Sequence, residues 1–557
     1  MSTFNELIDF TRSTTGTYLD SVVYGDELVT NGTFDNNIDG WSQTAGTVSY
    51  VSGRLSVIGD GTVGRANITS GIPVTAGTTY FVTVGVEGTV NRHFVHFGTV
   101  AGSSDILGNF TKVEGTGTYT AFIVATTSSL FIQLGSIGSD TSLYDNVSVK
   151  EVIGGQVSGT PLLRTAAINE PRLEYDASGN PLGLLIEEAR SNRVPYSKDF
   201  TIGWGALNIV ATPNIIASPD GAVSGAKLQE DSSGTGGPRV YPADLAVLTA
   251  NQAQTFSCFF KAGTSNYAYV TIRHTNQNIA GVEFDLVNGT VNSTQDNGNM
   301  TVNGSDITSV GNGWYRCSVT ATCSVSTSSG LYLLGLSDGT GILNGGYPNY
   351  ALTGKNIYAW GAQLEQGAFP TSYIPTSGST VTRAADVASL PVERFAYNQP
   401  QGSLFVYATA PDGLNQNRLT QLVTNGDSSN RVVDLHRVIN SISMYNGTST
   451  LTVDAFGASN DIKAAGGYKS GSYALVSDGG STVTNSDTTV NTPDTLMLGA
   501  NGSSARQLNG HLKQIQYYPK RLSNTELQLL TQPSASPTMN LTFDGQATST
   551  LVEGFHD

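Results

Sequence analysis

Short runs in which apolar and polar side chains alternate recur along this chain, and turn residues separate them. RLSVI, TYFVTVGVEG, YTAFIVA and SLFIQLG come early, TFSCFFKAG, YAYVTIRH and GWYRCSVTATCSV in the middle, and GSLFVYATA late. A period of two puts every second side chain on one face of an extended strand, so each run can bury one face and wet the other. Gly, Asn, Asp and Ser between the runs supply the turns. Long helix-forming runs of Ala, Leu, Glu and Lys are absent. The pattern predicts an all-β chain of tandem antiparallel β-sandwiches. Composition agrees: 64 of 557 residues are glycine, about 11% against a usual ~7%, and charged residues make up 13% against a usual ~25%.

The net charge of −16 and a pI near 4.7 make the surface repel phosphate backbones and anionic lipid, so no nucleic-acid partner is expected. No apolar stretch approaches the ~18 residues of a membrane span, so no membrane insertion is expected. The opening MSTFNELIDFTRSTTG lacks the basic and apolar regions of a secretory leader. Synthesis in the cytoplasm is expected, with any exit by lysis or another non-Sec route. Three cysteines, Cys258, Cys317 and Cys323, cannot pair completely and are expected to be buried free thiols. Asn-x-Ser/Thr triplets at Asn31, Asn67, Asn109, Asn146, Asn288, Asn292, Asn446 and Asn540 follow from the composition and carry no expectation of glycosylation.

The densest patch of charge and aliphatic residues is Arg164 to Asn192, RTAAINEPRLEYDASGNPLGLLIEEARSN, with a turn at Asp176, Gly179, Asn180 and Pro181. It reads as a brace packed between domains, neither a core strand nor a long helix. The chain then divides into residues 1–24, an arm and first half of the brace; 25–153, a sandwich; 154–192, the second half of the brace; 193–387 and 388–531, two further sandwiches; and 532–557, a tail opening on the linker QPSASP. Asp478-Gly479 predicts a hairpin turn, and Ser523 with Glu526 a capping box before a short helix.

Chemistry is sparse. Gly59 to Gly64 matches G-x-G-x-x-G, but RANITSGIPV after it is strand and loop, so the nucleotide reading fails. His93 and His96 face opposite sides of a strand, and His274, His436, His511 and His556 lack metal spacing. Glu187-Glu188 has the residue types of a glycosidase pair; a solvated pair, or brace contacts with Arg190 and Arg193, is the favoured reading. Trp41, Trp204, Trp314 and Trp360 could stack on sugars, with core packing favoured and exposed tyrosines the better candidates. No catalytic or cofactor-binding residue is assigned, and the ligand-binding residues are unknown from sequence.

Two resemblances add to this reading. NGTFD to DGW (Asn31 to Trp41) and LYDNVSV (Leu143 to Val149) resemble the jelly-roll carbohydrate-binding modules related to families 4, 9 and 22. That resemblance implies a structural Ca²⁺ at Asp35, or a neighbouring carbonyl, and Asp145; no other cofactor is expected. The second sandwich has Ala359 or Trp360 at the matching position, so no calcium is expected there. The ordered series FTRSTTGTYLDS, RTAAINEPRLEY, GLLIEEARSN, VPYSKDF, YAWGAQLEQGAFPTSYIPTSGSTVTRAADV and LNGHLKQIQYYPKRLSNTELQLLT resembles structural proteins of tailed bacteriophages and prophages. These are fibre, spike or appendage proteins built from jelly rolls and concanavalin-like (laminin-G-like) sandwiches, and the resemblance covers nearly the whole chain.

It implies jelly rolls at 25–153 and 193–387 and a concanavalin-like sandwich at 388–531. In that family the FTR to TYLDS segment leads almost directly into RTA to PR-x-Y. Here Gly25 to Ile153 intervene, which reads as a jelly roll inserted into the brace. The implied role is a non-enzymatic virion appendage: a tail fibre, tail spike or head fibre. It would adsorb to host surface glycans by multivalent binding, as a homotrimer in contact with other virion structural proteins. The arm or the brace would dock to the particle. The alternatives are a purely structural capsid or tail decoration protein and a surface-polysaccharide hydrolase.

Overall fold

The computed structural model describes residues 8–20, 23–88, 93–106, 117–153, 162–231, 234–242, 246–275, 278–343, 345–411, 415–424, 427–438, 441–454, 460–501, 506–532 and 540–543. The Asn109 triplet, His556 and all but the first residue of QPSASP lie outside them. The chain is all-β, as the alternation predicts, and forms two compact units: Met1–Ser21 with Thr160–Glu553, and Val22–Gly159 with Gly554–Asp557.

In the smaller unit one sheet runs in the order His93–Gly98, Ser129–Ile137, Val63–Ile68, Trp41–Ala45. The other runs Gly117–Val124, Thr79–Glu87, Thr141–Ile153, Arg54–Ile58, Thr47–Val51, with Val23–Glu27 also on Thr141–Ile153. The core contains Leu55, Val57, Leu130, Ile132, Leu134, Tyr144 and Val149 from both sheets, all fully buried. Gly59 to Gly64 carries the chain from one sheet to the other through a turn closed by the Asp60 carboxylate, which accepts from the Thr62 and Val63 amides at 3.0 and 3.2 Å. A strand follows it, Val63–Ile68.

The larger unit holds two sandwiches. The first packs the sheet Trp204–Leu207, Arg239–Pro242, Thr327–Ser337, Tyr267–Thr275, Asn278–Asp285, Thr290–Asp296 on the sheet Ile209–Ala217, Val223–Glu230, Asn356–Gln366, Gln254–Ala262, Trp314–Cys323, Met300–Ser309. Cys258, Cys317 and Cys323 are free and buried in its core. In the second, one sheet is Asp9–Thr11, Val387–Pro391, Thr495–Leu498, Asn415–Thr424, Asp427–Val438, Ser441–Tyr445, Thr450–Asp454. Its partner is Leu173–Tyr175, Pro181–Ile186, Gly510–Tyr518, Gln401–Thr409, Asp461–Lys469, Tyr473–Ser477, Val483–Asn485, with Asn540–Phe543 parallel to Gly510–Tyr518. Asp478 and Gly479 adopt positive φ of 48° and 72° at the expected hairpin. Ser523 and Glu526 close a capping box on the helix Asn524–Leu530, whose Leu527 is fully buried.

One expectation is corrected. The 164–192 stretch does contain core strand: Leu184, Leu185 and Ile186 pair with Leu512, His511 and Gly510, and Ile186 is fully buried. Its apolar run PLGLLI is buried along Gly183 to Ile186, where it lies inside a sheet. The described part of the N-terminal segment is paired in strands at two places. Asp9–Thr11 pairs with Val387–Ser389, and Gly16–Asp20 pairs with Leu162–Ala166.

That last pairing places Asp20 opposite Leu162, so the chain leaves and re-enters the larger unit one ladder step apart. Within the smaller unit Val23 lies opposite Ile153, so its two ends are neighbours as well. Adjacent ends at both places let one unit sit inside the other's sequence without opening either sheet.

Candidate functional site

Within the larger unit, segments distant in sequence meet at one buried ionic node. Arg12, Arg172, Arg383, Glu187 and Asp386 are each at most 5% exposed. The Asp386 carboxylate accepts from Arg12 Nη1 at 3.0 Å, from the Glu187 amide at 2.9 Å, and from Arg172 Nη2. Glu187 Oε2 lies 2.8 Å from Arg172 Nη1 and 3.4 Å from Arg383 Nη2. Ser372 donates its amide and its hydroxyl to the two Glu187 oxygens, both at 2.7 Å. Further guanidinium N–H groups reach carbonyls: Arg12 to Thr14, Ala167 and Glu170, Arg172 to Thr17, Arg383 to Ala384 and Glu188, while Arg172 Nε and Arg383 Nε are buried without a hydrogen-bond partner among the described residues. Burial by itself pushes the Glu187 carboxyl up. Arg383, Arg172 and the Ser372 bonds outweigh it and hold the group well below the usual carboxylate range. Arg172 is pulled down by burial and, more strongly, up by Glu187 and Asp386.

The glycosidase reading of Glu187-Glu188 fails on this geometry. A general acid needs a raised pKa and an open cleft on the scissile bond. Glu187 has both oxygens committed inside the protein. Glu188 accepts from Arg190 Nε at 2.6 Å and from Asn509, whose side-chain oxygen in turn takes the Glu188 amide at 2.8 Å. Arg190 is therefore the expected brace contact. Arg193 is not: it bonds Gln254 and the Val247 carbonyl. Asn192, fully buried, donates to Ala362 and Ile374 carbonyls and accepts from the Val194 and Leu364 amides. A Cβ at Gly367 would fall 1.6 Å from Arg190 Nη1, so any side chain there must displace that guanidinium from its place. The partners of Glu187 were not legible from spacing, because Arg172, Arg383 and Ser372 reach it through the fold.

The tryptophans are core residues, as favoured. Trp41, Trp204, Trp314 and Trp360 are 7%, 9%, 1% and 1% exposed. Trp314 and Trp360 donate to the Ala217 carbonyl and the Ser224 hydroxyl, and Trp41 packs edge-on against Phe34. In the smaller unit the exposed Asp35 carboxylate accepts from the Thr33 hydroxyl at 2.8 Å, and the Asp145 carboxylate caps the Asn146 amide at 2.7 Å. The Gly32 carbonyl next to that loop accepts from the Val147 amide at 2.9 Å. Glu27 takes the Val29 and Val149 amides and the Ser148 hydroxyl, tying the first strand to the last. Among the described residues no group of three or more His, Cys, Asp or Glu side chains converges as a metal-holding cluster. The histidines are dispersed: His274 meets the Val325 carbonyl, His436 Asp434, and His511 Glu174.

No protein-family model and no curated protein matches the chain. Solved structures similar to parts of it include the carbohydrate-binding module CBM40 of a Ruminococcus gnavus IT-sialidase, at 19% identity and a TM-score of 0.22, covering 24% of this chain and 84% of that one. The tandem CBM22 domain of Paenibacillus barcinonensis Xyn10C gives 12% and 0.18 over 62% and 98%. Domains LG4-5 of the mouse laminin alpha1 chain give 10% and 0.18 over 53% and 92%. Scores at this level transfer neither activity nor ligand. The class that the strand order itself defines is a tandem antiparallel β-sandwich protein.

Proposed function

We propose that this chain is a non-enzymatic appendage component of a tailed-phage particle, a tail fibre, tail spike or head fibre, that adsorbs to host surface glycans. One observation carries the reading. Four of the six segments that resemble phage structural proteins close on the node: FTR supplies Arg12, EPRLEY Arg172, GLLIEEARSN Glu187, and the segment through FPTSYIPT and TRAADV Ser372, Arg383 and Asp386; LNGHLK adds Asn509 beside it, on Glu188. What the chain shares with that group is thus an architectural joint, not a reacting centre. A joint of this kind suits a protein that presents binding modules. Copies linked in a homotrimer would convert weak single-site binding into avidity, and the particle's other structural proteins would anchor them.

Labelling the chain and imaging purified virions tests the location: an appendage signal is expected, and a signal spread over the capsid lattice favours a decoration protein. Incubation with capsule or lipopolysaccharide and a reducing-end assay tests the hydrolase alternative, with no new ends expected. A calcium site at Asp35 and Asp145 belongs to the same proposal. A melting temperature of residues 22–159 unchanged by calcium or chelator would remove it.

A further inference from the structure

The outer face of one sheet in the larger unit carries positive charge of a different kind from that in the node. Arg239, beside buried Val240, and Arg273, beside buried Ile272, point away from the sandwich core. Both are half-buried. The Arg239 guanidinium lies over the Tyr347 ring, 3.8 Å from its centroid, and donates to the Gly237 carbonyl at 2.8 Å. Arg273 donates to the Gly345 carbonyl at 3.4 Å.

Arg12, Arg172, Arg383, Arg418 and Arg431 each face a carboxylate. Among the described residues neither Arg239 nor Arg273 makes an ion pair. Burial lowers the Arg273 pKa, and Arg239 lowers it further as a like-charged neighbour. Both guanidiniums meet the Gly345–Tyr347 segment without a counter-charge, and an anion bound there would be attracted by each. Each guanidinium has five N–H donors in a planar fork, so several are left for a ligand.

Two further observations fit. On the same face the Tyr241 ring lies flat across Gly205, where a Cβ would fall 2.7 Å from it. A half-exposed aromatic held flat on backbone is a platform for the C–H face of a sugar. Two residues before Arg273, the Thr271 hydroxyl is buried without a hydrogen-bond partner.

Building on the glycan-adsorption reading, we propose that Arg239, Arg273, Tyr241 and Tyr347 form a binding site for a carboxylate-bearing pyranose of an acidic surface polysaccharide. The planar carboxylate matches the edge of the guanidinium fork, whose face is already occupied by Tyr347. Tyr241 takes the ring. On a chain of net charge −16 such a site also confers selectivity, because an acidic polymer gains only where the arginines outweigh the general repulsion.

The test is calorimetric titration of the full chain with tetragalacturonate, maltotetraose and glucose 6-phosphate, alongside binding to a panel of purified capsular and O-antigen polysaccharides. Saturable binding of tetragalacturonate is expected, weakened about tenfold or more in R239Q/R273Q and in Y241A. R273K, which keeps the charge and loses the fork, should weaken it severalfold, with melting temperatures unchanged throughout. Equal affinity for maltotetraose, or no effect of R239Q/R273Q, overturns the site. Tighter glucose 6-phosphate overturns the carboxylate assignment. Binding to the panel that survives R239Q/R273Q rejects this site while keeping the adsorption reading; no binding to any saccharide rejects the adsorption reading itself.

Discussion

Glu187 is 5% exposed yet ionised, because two guanidiniums and a serine hold its charge. In the unfolded chain a glutamate titrates near ~4.3, and in the folded chain this one titrates well below that. Between the two values the unfolded state binds the extra proton, so acid favours unfolding there. The stability Glu187 contributes is complete above ~pH 5 and falls away as the pH drops through and below ~4. Denaturant midpoints measured from pH 7 to 3 should therefore fall. Glu187→Gln should be about 3–5 kcal/mol less stable at pH 7, because Arg172 and Arg383 lose a counter-charge, and its acid slope should be shallower. At Gly367 an alanine would strike Arg190, so Gly367→Ala should lose about 1–3 kcal/mol in the same measurement. The three free thiols are buried, and burial pushes the Cys258 and Cys317 pKa values up. An aromatic disulfide reagent should find no reactive thiol in the native protein and three equivalents in denaturant.

At the scale of elements, Asp20 lies opposite Leu162, so the smaller unit is expected to be removable. Replacing residues 22–160 by a two-residue turn should leave the larger unit with a melting temperature within a few degrees of the parent, since its own ladder closes the gap. A collapse of the transition would show that the two units depend on each other. Most strands were legible, because period-two alternation is a local signal and runs such as TFSCFFKAG carry it. The capping box at Ser523 and the Asp478-Gly479 turn were legible for the same reason. The strand Asp9–Thr11 was not, because its partner Val387–Ser389 lies hundreds of residues away; Pro181–Ile186 follows a legible turn and pairs with Leu173–Tyr175, but its place inside a sheet comes from Gly510–Leu512, equally distant. The ionic node shows the same limit. Glu187 and Glu188 stand out as a pair, whereas Arg383, at the end of a short strand, and Asp386, just after it, carry no local signal of an ionic role and gain meaning only when Arg12 and Arg172 arrive beside them.

For the molecule as a whole, the proposed role rests on copy number as much as on any one site. If the chain trimerises, light scattering gives a mass about three times its 58.4 kDa. Binding of that species to immobilised glycan should exceed monomer binding by about 10²-fold or more, through slower dissociation. A monomeric mass with monomer-like kinetics would count against the appendage reading. On the proposed role the node would matter at this scale too, because an appendage transmits force through its joints. Charges buried at one junction are screened by salt far less than surface pairs are. Melting temperature should accordingly vary little between ~0.05 and ~0.5 M salt at neutral pH.

The single ladder step between Asp20 and Leu162 also bears on how such a chain can change over generations. Strands there are about 4.8 Å apart, so any coding segment whose product begins and ends on neighbouring strands can be spliced in at that point. The exchange alters no codon of Arg12, Arg172, Glu187, Arg383 or Asp386. A lineage can therefore trade one surface module for another by recombination and keep the same joint.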